Sequence, residues 1–150
     1  MSEVYFYHLT RATLDELVPV LLERSLAAGW RVGLRAPQLP LLDSLDRLLW
    51  HGAGFLPHGM IGGAHDADQP VLLTTGPVTN GAQALISVGG APVSAEEVAQ
   101  FTRASIVFDG MDGAAVTQAR SQWKALTGAG VKAKYWSQES GRWEMKAQSQ

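Results

Sequence analysis

The chain contains no cysteine, which excludes disulfides, thiolate metal sites and a cysteine nucleophile together. Charge is sparse as well: 17% of the 150 residues are Asp, Glu, Lys or Arg, and they sum to a formal −2. That balance gives no global electrostatic reason to bind nucleic acid, leaving only local basic patches for the purpose. No apolar run approaches the roughly 20 residues that span a bilayer. The N-terminus has neither a basic start nor a signal-like apolar core, so the sequence reads as cytoplasmic, with no membrane association. Catalytic signatures are missing too. Ser87 and Ser94 lack a nucleophile elbow, and Gly52-x-Gly54 is too sparse for a dinucleotide loop and follows a helix where a strand is required.

What remains is an ordinary globular composition, 46% hydrophobic, long enough for one domain to bury its own core. Residues 4–9 alternate as a strand. Thr13 and Glu16 form a capping box, and Leu14, Leu17, Val18, Leu21, Leu22 and Leu26 follow at helical spacing. Pro19 removes a backbone bond, so the helix either bends there or becomes regular only near Leu17; Gly29 is its stop. Residues 30–35 alternate as a second strand, and Leu41, Leu45, Leu48 and Leu49 stripe a helix ending at Trp50. A glycine-rich irregular loop fills 51–69. Short apolar runs at 71–74 and 84–88 predict two more strands, whose direct succession suggests a mixed sheet. Ser94 and Glu97 open a short helix through Phe101, and Ile106–Phe108 is a strand. A longer helix over 112–127 carries Ala115, Val116, Ala119, Trp123 and Leu126 on one face, before a last strand at 131–136. Strands alternating with helices predict an α/β domain over residues 1–140 with a largely parallel sheet covered on both sides. Residues 141–150 read as a frayed polar tail.

Three features deserve weighing. Gly76-Pro-Val-Thr-Asn-Gly81 has the glycine spacing of a phosphate loop, but Ala82 and Gln83 stand where that loop needs lysine and a hydroxyl. A plain turn led by Asn80-Gly81 between two strands is the simpler reading. His51, His58 and His65 recur every seven residues, without the close ligand pairs of a structural zinc site. The stretch from Trp50 to His58 sets Trp50, Phe55, Leu56 and Pro57 in a glycine-broken loop. Loops are normally polar because their backbone stays wet, so these groups either fold onto the core or meet a partner.

The late helix is the other candidate surface. On a wheel Val116 and Trp123 fall within about 20° of each other, with Arg120 about 40° beyond Val116 and Lys124 one turn after Arg120. This describes a core tryptophan with a solvated basic flank, or a pocket that accepts an aromatic side chain and pairs its carboxylate with Arg120 or Lys124.

Taken together, several of these segments resemble the chi subunit family of bacterial DNA polymerase III, accessory proteins that join the clamp-loader assembly to single-stranded DNA-binding protein. The likeness rests on the opening aromatic strand, on Leu-Leu-Trp50 followed by Phe55-Leu56-Pro57-His58, on the apolar run at 71–74 with Asn80-Gly81, and on Gln122-Trp123-Lys124. It spans roughly residues 3–136. The resemblance implies a Rossmann-like three-layer fold with no nucleotide, metal or other cofactor and no catalysis. It further implies that Arg120, Trp123 and Lys124, bordered by Val116, receive the acidic, aromatic tail of single-stranded DNA-binding protein. Trp50 and Phe55, with Leu56 and Pro57, are implied to meet the psi subunit or another replisome protein. Nucleic acid would be contacted only indirectly or weakly. Two positions depart from the family pattern: Trp123 stands where tyrosine is expected, and Asp109 where the pocket wall is apolar. The rival reading is a small metal- or nucleotide-dependent enzyme using His51, His58 or the Gly76–Gly81 turn. A third is direct DNA contact through Arg103, Arg120, Lys124, Lys132, Lys134 and Arg142.

Overall fold

A computed structural model describes residues 2–51, 56–138 and 142–149. In chain order the elements are β1 (Glu3–Leu9), α1 (Leu14–Ala27), β2 (Val32–Arg35), α2 (Leu39–His51), β3 (Gly59–Met60), a 3-10 turn (Asp66–Asp68), β4 (Val71–Thr74) and β5 (Ala84–Val88). Then come α3 (Ala95–Val98), β6 (Arg103–Asp109), α4 (Gly113–Gly128), β7 (Lys132–Ser137) and β8 (Glu144–Gln148). The strands form one sheet in the order β3-β4-β2-β5-β6-β1-β7-β8. All pairings are parallel except β7 with β8. On one face α1 and α2 bury Leu17, Val18, Leu21, Leu22, Leu42, Leu45 and Leu49. On the other, α3 and α4 contribute Val98, Ala119 and Leu126. The result is the three-layer, largely parallel α/β domain that the alternation of elements predicts.

Local chemistry fixes the helix starts. Thr13 accepts from the Glu16 amide while Glu16 reaches back to the Thr13 amide, and Ser94 and Glu97 do the same for α3. Each box satisfies amides that would otherwise be orphaned. Of the two outcomes expected at Pro19, a start near Leu17 does not occur: α1 runs from Leu14 through the proline. Gly29, at φ +82, turns the chain out of α1.

Four expectations need correcting. Residues 30–35 read as a half-exposed alternating strand, yet all of β2 is buried, Arg35 included. A central parallel strand is covered on both faces, and Arg35 is admitted because its guanidinium is bonded: Nε donates to the Gly76 carbonyl at 3.0 Å, Nη1 to that of Pro92 at 3.2 Å and Nη2 to Glu97 at 2.7 Å. Second, the mixed character of the sheet does not arise between 71 and 88. Strands β4 and β5 flank β2, both parallel to it, so the Gly76–Gly81 segment is a crossover rather than a turn between paired strands. It passes over β2 at Gly33, where an added Cβ would stand 2.5 Å from Val78 Cγ2; glycine permits that approach. Asn80 anchors the segment by donating to the carbonyls of Val32 and Gln69. Third, the loop at 51–69 is not wholly irregular, since it contains β3 and the 3-10 turn. Last, where a polar tail was expected, Glu144–Gln148 pair with β7, and Trp143 packs edge-on against Tyr7 at 5.4 Å. Hydropathy misses β8 because its residues are largely exposed and its partner strand is what holds it.

Candidate functional site

Helix α4 starts at Asp112, whose carboxylate accepts from the amides of Ala114 and Ala115. Its buried stripe is Ala119 and Leu126, flanked by half-buried Ala115, Val116 and Trp123. The two flanks then differ in kind. One carries Val116, Arg120, Trp123 and Lys124. The indole of Trp123 meets Phe6 edge-to-face at 5.3 Å and Tyr135 at 6.0 Å, so it is rooted in the core while remaining partly open. Tyr135 continues this wall to His8 through a hydroxyl–imidazole hydrogen bond, and the His8 ring lies 5.0 Å from that of Phe108. Arg120 and Lys124 are both exposed, and neither has an ion-pair partner among the described residues. The four predicted residues therefore share one flank, two cations beside a half-buried indole. None of them lines any of the three cavities described below.

His8 and Tyr135 were missed as part of this wall. Period-2 alternation puts Phe6 and His8 on one face of β1, but nothing in the sequence makes β7 the neighbour of β1, where Phe6 pairs with Tyr135. Asp109, expected to disturb the pocket wall, is exposed at the end of β6 and accepts from the Met111 amide at 2.8 Å.

The opposite flank of α4, with Gln118 and Gln122, lines a cavity of about 650 Å³ at the carboxyl ends of β1, β5 and β6. Because α1 and α4 leave these strands toward opposite faces, this is the topological switch point where α/β enzymes bind ligands. Phosphate at such a point sits on free helix N-terminal amides. Here Thr13 and Asp112 already occupy those of α1 and α4, and the Asp112 charge repels an anion. Arg11 lines the same cleft, so its charge is mixed. The Gly76–Gly81 segment is closed on itself: the Gly76 amide donates to the Thr74 hydroxyl, which donates to the Pro77 carbonyl. A second cavity, about 350 Å³, lies along Lys132–Lys134 and Gln148–Ser149. The third lies on the α1 face, bounded by β1, β6 and β7.

On the α1–α2 side, Trp50 is 57% exposed and its ring lies 4.6 Å from that of His58. His58 is buried, with Nδ1 2.7 Å from the Leu56 carbonyl and Nε2 3.0 Å from Asp46. Both neighbours are acceptors, one facing each ring nitrogen. This histidine pins the loop end beneath Trp50. Leu56 is half-buried and Pro57 exposed, while Phe55 lies outside the described residues. His51 and His65 are exposed, and among the described residues no group of three His, Asp or Glu side chains is placed to hold a metal ion.

The fold is a three-layer, largely parallel α/β domain that sets two exposed cations beside a half-buried indole on one flank of α4. The chain belongs to the DNA polymerase III chi subunit family (HolC), whose model matches residues 1–134. Among curated proteins no sequence matches it. Family membership makes it a non-catalytic accessory subunit in DNA replication, with single-stranded DNA-binding protein and clamp-loader components as partners. Among the described residues no helix is long and apolar enough to cross a membrane.

Proposed function

We propose that the Val116–Arg120–Trp123–Lys124 flank of α4 receives the acidic, aromatic C-terminal tail of single-stranded DNA-binding protein, and that Trp50, Phe55, Leu56 and Pro57 dock the psi subunit or an equivalent clamp-loader protein. The observation carrying the first assignment is a pair of exposed cations, without ion-pair partners among the described residues, beside a half-buried indole. Burying one phenylalanine there contributes about 1.5–3 kcal/mol. Each exposed cation adds no more than about 1 kcal/mol, so one tail binds weakly and loses affinity in salt. Many tails on a coated strand raise the local concentration and turn weak contacts into firm tethering. Trp50 lies on α2 and the cationic flank on α4, helices packed against opposite faces of the sheet. One partner therefore leaves room for the other, as an adaptor requires. Calorimetric titration with a peptide of several aspartates ending in phenylalanine tests the tail site. Arg120→Ala and Lys124→Ala should each weaken binding about 3- to 5-fold at low salt. Unchanged affinity in both would remove the assignment.

A further inference from the structure

The third cavity, about 230 Å³ between α1 and the sheet, has a lining that includes Tyr5, Tyr7, Trp136, Trp143, Arg24 and Arg103. Its chemistry is lopsided: among the described residues, two guanidinium groups and no carboxylate line it. Lys134 adds a third cation, with Nζ 5.3 Å from the Tyr5 ring centroid, and Arg103 lies over the same ring at 4.2 Å. The carboxylate paired with Arg103 is Glu3, 3.5 Å from Nη2, which leaves Arg24 and Lys134 without ion-pair partners among the described residues. Two donors on lining residues, Arg103 Nε and Trp136 Nε1, are buried with no hydrogen-bond partner among the described residues. A buried donor left unsatisfied is unfavourable, so an acceptor arriving there is favoured. The phenol of Tyr7 stays neutral, its pKa pushed up to about 12 chiefly by burial, against the lowering influence of Arg103. It adds no negative charge to the recess.

We infer that this recess is a second peptide-docking site, taking an acidic segment that places one apolar side chain among the rings and a neighbouring carboxylate against Arg103, Trp136 and Arg24. The volume falls below the roughly 300–1,000 Å³ of pockets that take drug-sized ligands, which suits one side chain and not a nucleotide. Ring geometry says the same. Tyr5 meets Tyr7 at 57° and Trp136 at 45°, Tyr7 meets Trp143 at 88°, and the Tyr5 face is taken by Arg103. The Tyr5 face that Arg103 covers is not free as a platform for a stacked base, the contact that single-stranded nucleic acid uses. This site is independent of the α4 flank.

The test uses the full ¹⁵N-labelled chain carrying Arg120→Ala and Lys124→Ala, so that failure of the α4 assignment cannot be mistaken for failure here. The Trp136 indole resonance is identified by its loss in Trp136→Phe and followed during addition of acetyl-Asp-Asp-Phe. A saturable shift is expected, with affinity reduced about 5-fold or more by Arg24→Glu and by replacing the peptide carboxylates with amides. An unmoved indole in a chain whose amide spectrum stays folded would overturn the inference. So would equal binding of the amidated peptide, or a stronger response to oligothymidylate than to the acidic peptide.

Discussion

Removing the Arg35 guanidinium should unfasten three parts of the domain at once. From the centre of the sheet it holds the β4–β5 crossover at Gly76, the loop carbonyl of Pro92 and the α3 residue Glu97. Hydrogen bonds to a charged group contribute about 1.5–3 kcal/mol each, and three on one side chain do not simply add. Breaking a buried pair costs about 3–5 kcal/mol. Because the Glu97 side chain is 34% exposed, it rehydrates partly, and Arg35→Met should lose about 3 kcal/mol. Glu97→Gln keeps one acceptor oxygen where Oε1 serves the Ser94 amide and Oε2 serves Arg35, so one of the two bonds is lost and stability should fall by about 1–2 kcal/mol at neutral pH. The pH dependence separates the two effects. The hydrogen bond from Arg35 holds the Glu97 carboxyl below its usual range. Its contribution is therefore complete above the unfolded-state pKa and disappears as pH falls through the lower folded-state value. Urea unfolding across that range should show the gap between wild type and Glu97→Gln closing with acid. A gap that persists or widens in acid would refute the linkage, and Arg35→Met losing less than about 1 kcal/mol would refute the staple.

Two further outcomes follow from packing and exposure. Gly33→Ala should destabilise by about 1–3 kcal/mol through overpacking against Val78, with Val78→Ala in the same chain recovering most of the loss in urea unfolding. Trp50→Ala should leave stability within about 1 kcal/mol of wild type, because the ring is mostly exposed, while abolishing co-purification with the psi or equivalent clamp-loader partner.

Much of the architecture was legible because its signals are local. The capping boxes at Thr13 and Ser94, the Asp112 start of α4 and the leucine stripe of α2 are set within a few residues of where they act. Properties decided by distant neighbours were not legible. Arg35 looks like a solvent-facing strand residue until Gly76, Pro92 and Glu97 are brought around it. The Gly76–Gly81 segment looks like a simple turn until β2 is placed between β4 and β5. The same divide runs through the candidate site. Helical geometry alone put Val116, Arg120, Trp123 and Lys124 on one flank, whereas His8 and Tyr135 join it only through the β1–β7 pairing. Trp143 and β8 escaped notice for that reason too, since a mostly exposed edge strand is specified by its partner more than by its own hydropathy.

The central claim is that the cationic, indole-bearing flank of α4 holds the tail of single-stranded DNA-binding protein. Immobilised full-length chain should retain intact single-stranded DNA-binding protein and release the version lacking its acidic C-terminal residues. Equal retention of the tailless protein would contradict the account.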